Sequence, residues 1–505
     1  MQIDPSSSAF AECYARGEPQ VVWTTLVADL ETPVSAFLKI AAGRPMSFLL
    51  ESVEGGAVRG RYSIIGLDPD LVWRTVGGRA EINRAARDQH GRFVPCNDAP
   101  LAALRALIAE SRIELPAALP PMAAGVFGYL GYDMVRLMEE LPPPNPDPIG
   151  IADAILLRPT IVLVFDATAD TITVVTPVRP ETGVSAKAAL ARAGERLSTI
   201  VDALDRPLDH AAANGQSGPL AVLPRSNTSP AEYERMVRAA KDYIAAGDAF
   251  QVVLAQRFEA PFELPPFALY RALRRVNPSP YLYFLDFGEF ALAGSSPEIL
   301  VKVAPGTVTI RPIAGTRPRG GSPHEDKALE VELLADPKER AEHLMLLDLG
   351  RNDVGRVAQI GTVKVTDQFF VERYSQVMHI VSNVEGALTD EHDALDALAA
   401  GFPAGTVSGA PKVRAMEIID ELEKEKRGVY AGCVGYFSAA GEMDTCIVLR
   451  TALIKDGVMY VQAGAGIVAD SDPKSEQQEC INKARALFRA AEEAKRFASA
   501  ARRGQ

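Results

Sequence analysis

Short turns between strand-like runs limit this fold more than any other feature of the sequence. "SPYLYFLDFGEFALAGSS" (279–296) joins two apolar runs at Gly288-Glu289, and "EILVKVAPGTVTIRPIAG" (298–315) joins two more at Pro305-Gly306. "TIVLVFDATADTITVVT" (160–176) has the same layout around "DATAD". Loops this short reverse the chain, whereas a parallel neighbour needs a crossover of roughly a dozen residues or more. Strands joined this way are antiparallel. "CVGYFSAAGEMDTCIVLRTALIKDGVMYVQAGAGIV" (433–468) reads as three further strands with glycine-containing turns. Helices stand before, between and after these runs. In "SPAEYERMVRAAKDYIAAGD", for example, Ser229 is placed to cap, Pro230 to open and Gly247 to close a helix. The expected class is α+β, with large, mostly antiparallel sheets.

The chain has 505 residues, 47% of them hydrophobic and 23% charged, enough for about three domains or two large ones with a sizeable core. The stretch 205–230, "DRPLDHAAANGQSGPLAVLPRSNTSP", has neither helical nor strand periodicity and is rich in Pro, Gly, Ser and Asn. It reads as a linker over 206–228, between an N-terminal region 1–205 and a C-terminal region 229–495. The net charge of −12 argues against nucleic acid or an anionic membrane as partner. Five scattered cysteines form no C-x-x-C pair. The first residues lack the pattern of a secretory signal. The most apolar strip, "AILLRPTIVLVFDA", is interrupted by Arg158, Pro159 and Asp166, short of the ~20 residues of a membrane span. A cytoplasmic protein with reduced thiols is expected.

The residues able to carry chemistry gather in the C-terminal region. "DPKERAEHLMLLDLG" starts a helix at Asp336 and Pro337, closed at Gly350, with Glu339 and Glu342 on one face and an apolar, buried continuation from Leu344 to Leu349. "DPKSEQQECINKARALF" repeats the layout with Glu476, Glu479 and Lys483. Such acids are either solvated first-turn residues favoured by the helix dipole or hard oxygen ligands for Mg2+. "RPIAGTRPRGGS" (311–322) is either an anion loop, through Gly315 and Thr316, or a basic surface loop. "FPAGTVSGAPK" (402–412) offers Thr406, Ser408 and Lys412 ahead of a helix. Gly464 and Gly466 permit close approach to a ligand, or mark a strand bulge. Arg450, within the apolar strand "TCIVLRT", needs a partner, and a substrate carboxylate would serve. Tyr430 and His379 are core residues or ligand contacts. The inventory describes a site for a small polyanionic metabolite.

Taken together, these strings resemble the chorismate-utilising enzymes, above all the branch formed by the anthranilate synthase aminase subunit (component I). The resemblance runs along the whole chain, through "LLES", "GDAFQVVLAQRF", "NPSPYLYF", "SSPEIL", "PIAGTRPRG", "KERAEHLMLLDLGRNDVGRV", "FPAGTVSGAPKVRAMEIIDELE" and "GAGIVADSDPKSEQQE". It implies two large sheets with outer helices, and Mg2+-dependent conversion of chorismate and ammonia to anthranilate and pyruvate at the start of tryptophan biosynthesis. Glu342 and Glu479 match metal ligands, supported by Glu339 and Glu476. Tyr430, Arg450, Gly464, Ala465 and Gly466 match residues that hold chorismate, with Gly315 and Thr316 beside it. Glu298 matches the acid that protonates the leaving C4 hydroxyl. His379 and Thr406 match positions lining the ring, His379 being implied in pyruvate elimination, and Lys483 matches a lysine near the metal-bound carboxylate.

Two positions speak to the branch. Relatives that add water usually have lysine where this chain has Gln251, and the folate-pathway aminase, aminodeoxychorismate synthase component I, usually has lysine where this chain has Ala314. Both favour the anthranilate branch; that folate enzyme and a non-catalytic chorismate or tryptophan sensor are the alternatives. "LLES" and "NPSPYL" match a tryptophan feedback pocket, implying Leu50, Glu51, Ser52, Pro280, Tyr281 and Leu282 and a regulatory role for the N-terminal region. None of the cysteines lies in the G-x-C-x-G turn of a glutaminase, so a separate glutamine amidotransferase subunit, in a hetero-oligomer, is expected to supply ammonia.

Overall fold

The computed structural model describes residues 1–54, 58–89, 91–208, 224–374 and 377–498. Every strand pairing between named strands is antiparallel, as the short turns require. The three hairpins close where expected, with Asp286 facing Ala291, Ala304 facing Thr307 and Asp166 facing Thr171.

Two broad sheets share the long strands Val58–Val76 and Ala154–Asp166, which bend at a register shift near Pro69. From their 62–67/161–166 halves one sheet spreads outward to Gln20–Val27 on one side. On the other it runs through Ser47–Glu54, Tyr281–Asp286, Phe290–Ser296, Thr451–Lys455 and Val458–Ile467 to Gln251–Pro261. From the other halves the second sheet runs through Gly125–Leu130, Cys433–Ser438, Met443–Ile447, Ile299–Ala304 and Thr307–Ile310 to Val377–Ala387.

Strand alternation sorts the side chains into layers. Phe48, Tyr283 and Leu292 of the first sheet meet Phe127, Val434 and Cys446 of the second in a core between the sheets. The opposite faces pack on helices. Leu49, Phe284 and Ala293 lie under Pro33–Ile40, Pro266–Val276 and Pro473–Glu493, while Val301, Met443 and Phe437 lie under Pro100–Glu110 and Ala394–Gly401. The result is helices, sheet, sheet, helices, as the α+β expectation had it. No helix among the described residues is long and apolar enough to cross a membrane. All five cysteines are free.

Both sides of the stretch 206–228 contribute to each sheet, through Leu50 opposite Tyr283 and Tyr129 opposite Val434. Within that stretch, Arg225–Ser226 pairs with Phe258 and Glu259, and residues 209–223 lie outside the described residues.

Three local expectations are corrected. The C-terminal series has four strands, not three, because the chain breaks at Val448–Arg450, where Arg450 takes φ +48°. The first acidic helix runs over Pro337–Gly355, past Gly350, which packs inside it against Ile310 and Pro312 and has no left-handed turn to stop it. That helix is also buried on one side only: Leu344 is 55% exposed while Leu346 and Leu347 are in the core.

Candidate active site

Two strand connections pass from one sheet to the other, and each carries an ionisable residue. Phe290–Ser296 lies in the first sheet and Ile299–Ala304 in the second, so Pro297 and Glu298 make the passage. Met443–Ile447 lies in the second sheet and Thr451–Lys455 in the first, so Val448–Arg450 make the return. A left-handed φ is costly for a residue with a Cβ, and here it stands at the point where Arg450 must leave both ladders. Arg450 is therefore not amid a strand, as the sequence reads, but at the gap between two. Both residues line one cavity of about 770 Å³.

At its deep end Glu298 is 7% exposed, and burial pushes its carboxyl up to about 8. The Thr406 hydroxyl donates to Glu298 Oε1 at 3.0 Å. No hydrogen bond to the Arg450 guanidinium is formed among the described residues, and burial lowers its affinity for its proton, partly offset by Tyr374 and Glu298. Gln251, 2% exposed, holds Oε1 buried without a hydrogen-bond partner among the described residues.

His379 stands on Val377–Ala387 opposite Thr316 of Ile313–Pro318. Its Nδ1 lies 2.9 Å from the Gly315 carbonyl, which can only accept, so Nδ1 carries the hydrogen and Nε2 is the free base. The Thr316 hydroxyl is 3.0 Å from the same nitrogen. Burial holds the imidazole down at about 4, hence neutral at pH 7. Gly315 has φ +68°, and a Cβ there would meet Glu339 Oε2 at 3.0 Å.

Strand alternation splits the glycine motif. Gly464 and Gly466 line the cavity, where a Cβ would run 2.8 Å from the Tyr430 hydroxyl and 2.8 Å from Gln251 Nε2, respectively. Ala465 points the other way, into a core with Tyr233 and Ile418, so it offers only its backbone. Tyr430 is buried at the cavity wall.

The open end is acidic. Asp336 caps one helix and Asp472 the other, each followed by proline, and the first two turns aim Glu339, Glu342, Glu476 and Glu479 into the cavity. Burial and the charges of Glu339 and Glu479 push the Glu342 carboxyl up. Burial and the Glu479 charge do the same for Glu476. Lys483 Nζ lies 2.7 Å from Glu479 Oε1 and donates to the Gly464 carbonyl at 2.9 Å, tying this helix to the glycine strand. Glu339 accepts from Arg317 at 3.2 Å. Among the described residues no group of three or more His, Cys, Asp or Glu forms an ion cage. Carboxylates from two elements, whose like charges help push Glu342 and Glu476 up at the mouth of the cavity, fit a hard divalent cation whose shell water and substrate oxygens would complete.

Other donors in these motifs are engaged elsewhere. Lys412 forms a buried pair with Asp353 at 2.9 Å, and Ser408 donates to the Ala404 carbonyl. Arg311, Arg317 and Arg319 pair with Glu372, Glu332 and Asp326, so the stretch 311–322 offers its Gly315 and Thr316, not its arginines. Sequence reasoning missed Tyr374, whose ring lies edge-on to His379 at 5.4 Å. Only its place at the end of Lys364–Arg373, next to Val377–Ala387, brings it there, and no sequence signal marks it.

The six residues Leu50, Glu51, Ser52, Pro280, Tyr281 and Leu282 line a second cavity, of about 720 Å³. Their strands pair with Tyr281 opposite Ser52 and Leu282 opposite Glu51. The Glu51 carboxylate accepts two bonds from Arg274, at 2.8 and 2.9 Å, and one from Tyr270. Pro297, Ile313 and Tyr374 line both cavities.

Residues 63–489 match the model of the chorismate binding enzyme family. The chain is 59% identical over 499 residues to anthranilate synthase component 1 of Cereibacter sphaeroides, covering 99% of this chain and all of that one. It is 49% identical to the Thermus thermophilus protein of the same name, over 93% of this chain and 97% of the other. The crystal structure of anthranilate synthase component I from Streptococcus pneumoniae superposes with a TM-score of 0.75 at 39% identity, over 92% of this chain and 98% of that one. The fold, with two strand crossings meeting above two acidic helix ends, and these likenesses along its full length place the chain in the chorismate binding enzyme family.

Proposed function

We propose that this chain is the aminase of an anthranilate synthase: it adds ammonia to chorismate and eliminates pyruvate to give anthranilate, the first committed step of tryptophan biosynthesis. The observation that carries the reading is Glu298, a carboxyl kept protonated by burial at neutral pH and facing the same cavity as Arg450 and the acidic helix ends. A C4 hydroxyl is a poor leaving group, and a positioned acid whose pKa lies near the working pH is suited to protonate it. Thr406 donates to Oε1 and the Ile313 backbone N–H also reaches the carboxyl, but burial outweighs both and keeps the proton on it. Arg450, with Tyr430 and the backbone around Gly464, Ala465 and Gly466, would hold a carboxylate as a bidentate partner. Neutral His379 offers Nε2 toward proton removal in the pyruvate elimination. Gln251 and Ala314 line the cavity where a lysine would be a base or nucleophile; ammonia needs neither.

Glu342 and Glu479, with Glu339 and Glu476 behind them, would hold Mg2+. When bound, the ion would fix and polarise the ring carboxylate. Ammonia would come from a separate glutamine amidotransferase subunit in a cytoplasmic hetero-oligomer. Tryptophan would occupy the cavity at Leu50–Ser52 and Pro280–Leu282 as a feedback inhibitor, coupled to catalysis through the wall that the two cavities share. The N-terminal region 1–205 would then be regulatory and 229–495 catalytic.

The test is purified chain with chorismate, Mg2+ and an ammonium salt, followed by fluorescence and product mass. Anthranilate with pyruvate is expected. Aminodeoxychorismate without pyruvate would move the chain to the folate branch, and bound chorismate without turnover would make it a sensor.

A further inference from the structure

A third cavity, of about 460 Å³, shares no lining residue with these two and lies against the Ala186–Leu204 helix. Four of its lining side chains are arginines, Arg87, Arg179, Arg192 and Arg196, against the acids Asp70, Glu181 and Glu195. Two of those acids are taken: Arg158 donates twice to Asp70, at 2.8 and 3.0 Å, and Glu181 faces Arg192 at 3.5 Å. That leaves three guanidiniums and one carboxylate, Glu195. The remaining bonds of the inner two are long. Arg179 reaches the Ser111 carbonyl at 3.4 Å while its Nε is buried without a partner among the described residues, and Arg196 Nε reaches the Arg192 carbonyl at 3.5 Å.

We propose that this cavity is a binding site for a small multivalent oxyanion, a phosphate or polycarboxylate group held between Arg179 and Arg196 with Arg87 at the rim. Guanidinium pairs form forked bonds to such oxygens, and a half-buried cation whose acidic neighbours are bonded to other groups gains most when a free anion arrives. Burial lowers both groups, Arg179 to about 10, yet both stay charged at neutral pH, so the surplus persists where a ligand would meet it. The helix face that lines the cavity, Ala189, Arg192, Arg196 and Thr199, follows helical spacing, so the two arginines stand one turn apart on a rigid support. None of these residues lines the acidic cavity or its neighbour.

Titration calorimetry on the full chain at low ionic strength, with inorganic phosphate and with citrate in separate runs, tests this. One site per chain is expected for at least one probe. Arg179→Gln and Arg196→Gln should each weaken it by about tenfold or more, which is ~1.4 kcal/mol. Phosphate alone would mark a phosphorylated ligand, and citrate alone a polycarboxylate. Thermal unfolding shows whether each variant is folded; should Arg179→Gln fail, the half-exposed Arg196→Gln decides. No heat from the parent chain up to the order of 10 mM of either probe, or equal binding in parent and folded variant, overturns the proposal.

Discussion

The two cavities that share Pro297, Ile313 and Tyr374 are close in volume but opposite in electrostatics. In the larger one charges are left unsettled: Glu298 is buried as an acid, the Arg450 guanidinium has no hydrogen-bonded partner among the described residues, and Glu342 is raised by burial and like charge. In the other, the buried Glu51 already holds Arg274 and Tyr270, and Tyr281 donates to Asp444 at 3.2 Å. The first has stored electrostatic cost for a ligand and a cation to relieve. The second lies between paired strands and holds its Glu51 charge in bonds, with Asp444 pushed up by burial. The difference comes from topology. Strand crossings remove Glu298 and Arg450 from the ladders, whereas Leu50–Ser52 and Tyr281–Leu282 remain within one.

Substitutions should separate the two, and the largest effect falls on the unsettled charges. Glu298→Gln keeps the shape and removes the proton, so kcat should fall by about 100- to 10,000-fold with chorismate binding retained, read from anthranilate fluorescence and calorimetry. The same pair of proteins tests the raised pKa. The folded chain keeps a proton that the unfolded chain loses, so parent stability falls as pH rises from the ordinary carboxyl range toward about 8. The melting temperature of Glu298→Gln should therefore gain on the parent across that window; a constant gap would mean that Glu298 is ionised throughout. Next, Glu342→Gln should raise the Mg2+ concentration for half-activity by roughly 100-fold, measured by titration at saturating chorismate. An unchanged Mg2+ requirement would remove Glu342 from the metal site.

In the paired cavity the effects are smaller and of another kind. Leu50→Trp fills space there, so the tryptophan concentration for half-inhibition should rise about tenfold more than the KM for chorismate does. Equal changes in both would collapse the distinction between the cavities. The smallest effect is expected at the shared wall. Tyr374 donates to Glu372 at 2.9 Å on one side and packs on His379 on the other. Tyr374→Phe removes that bond and should weaken the mutual antagonism of tryptophan and chorismate by about threefold, measured as the effect of each ligand on the affinity of the other. A full loss of activity would instead make Tyr374 part of the chemistry.

Much of this was legible in the chain. The short turns dictated antiparallel pairing, the Asp-Pro starts of the two acidic helices set where their first turns point, and the motifs brought together nearly every residue lining the main cavity. Local rules failed at three places for one reason. Arg450 reads as a strand residue, Gly350 as a helix stop and Leu344 as core, because each depends on what packs alongside and not on its neighbours in sequence. Alternation was readable in "AGAG", but only the pairing of Val458–Ile467 with Gln251–Pro261 decided that the two glycines, and not Ala465, face the cavity.

The sequence by itself determined the three hairpins, their antiparallel sense, the paired acids and the family, since each rests on spacing of a few residues or on ordered motifs. Only the tertiary structure decided that Glu298 is an acid at neutral pH, that Tyr374 stands between two cavities, and that Arg179 and Arg196 face acids without bonding one among the described residues. Desolvation and charge balance are set by all the elements packed around a group, and those elements are brought together from across the whole chain.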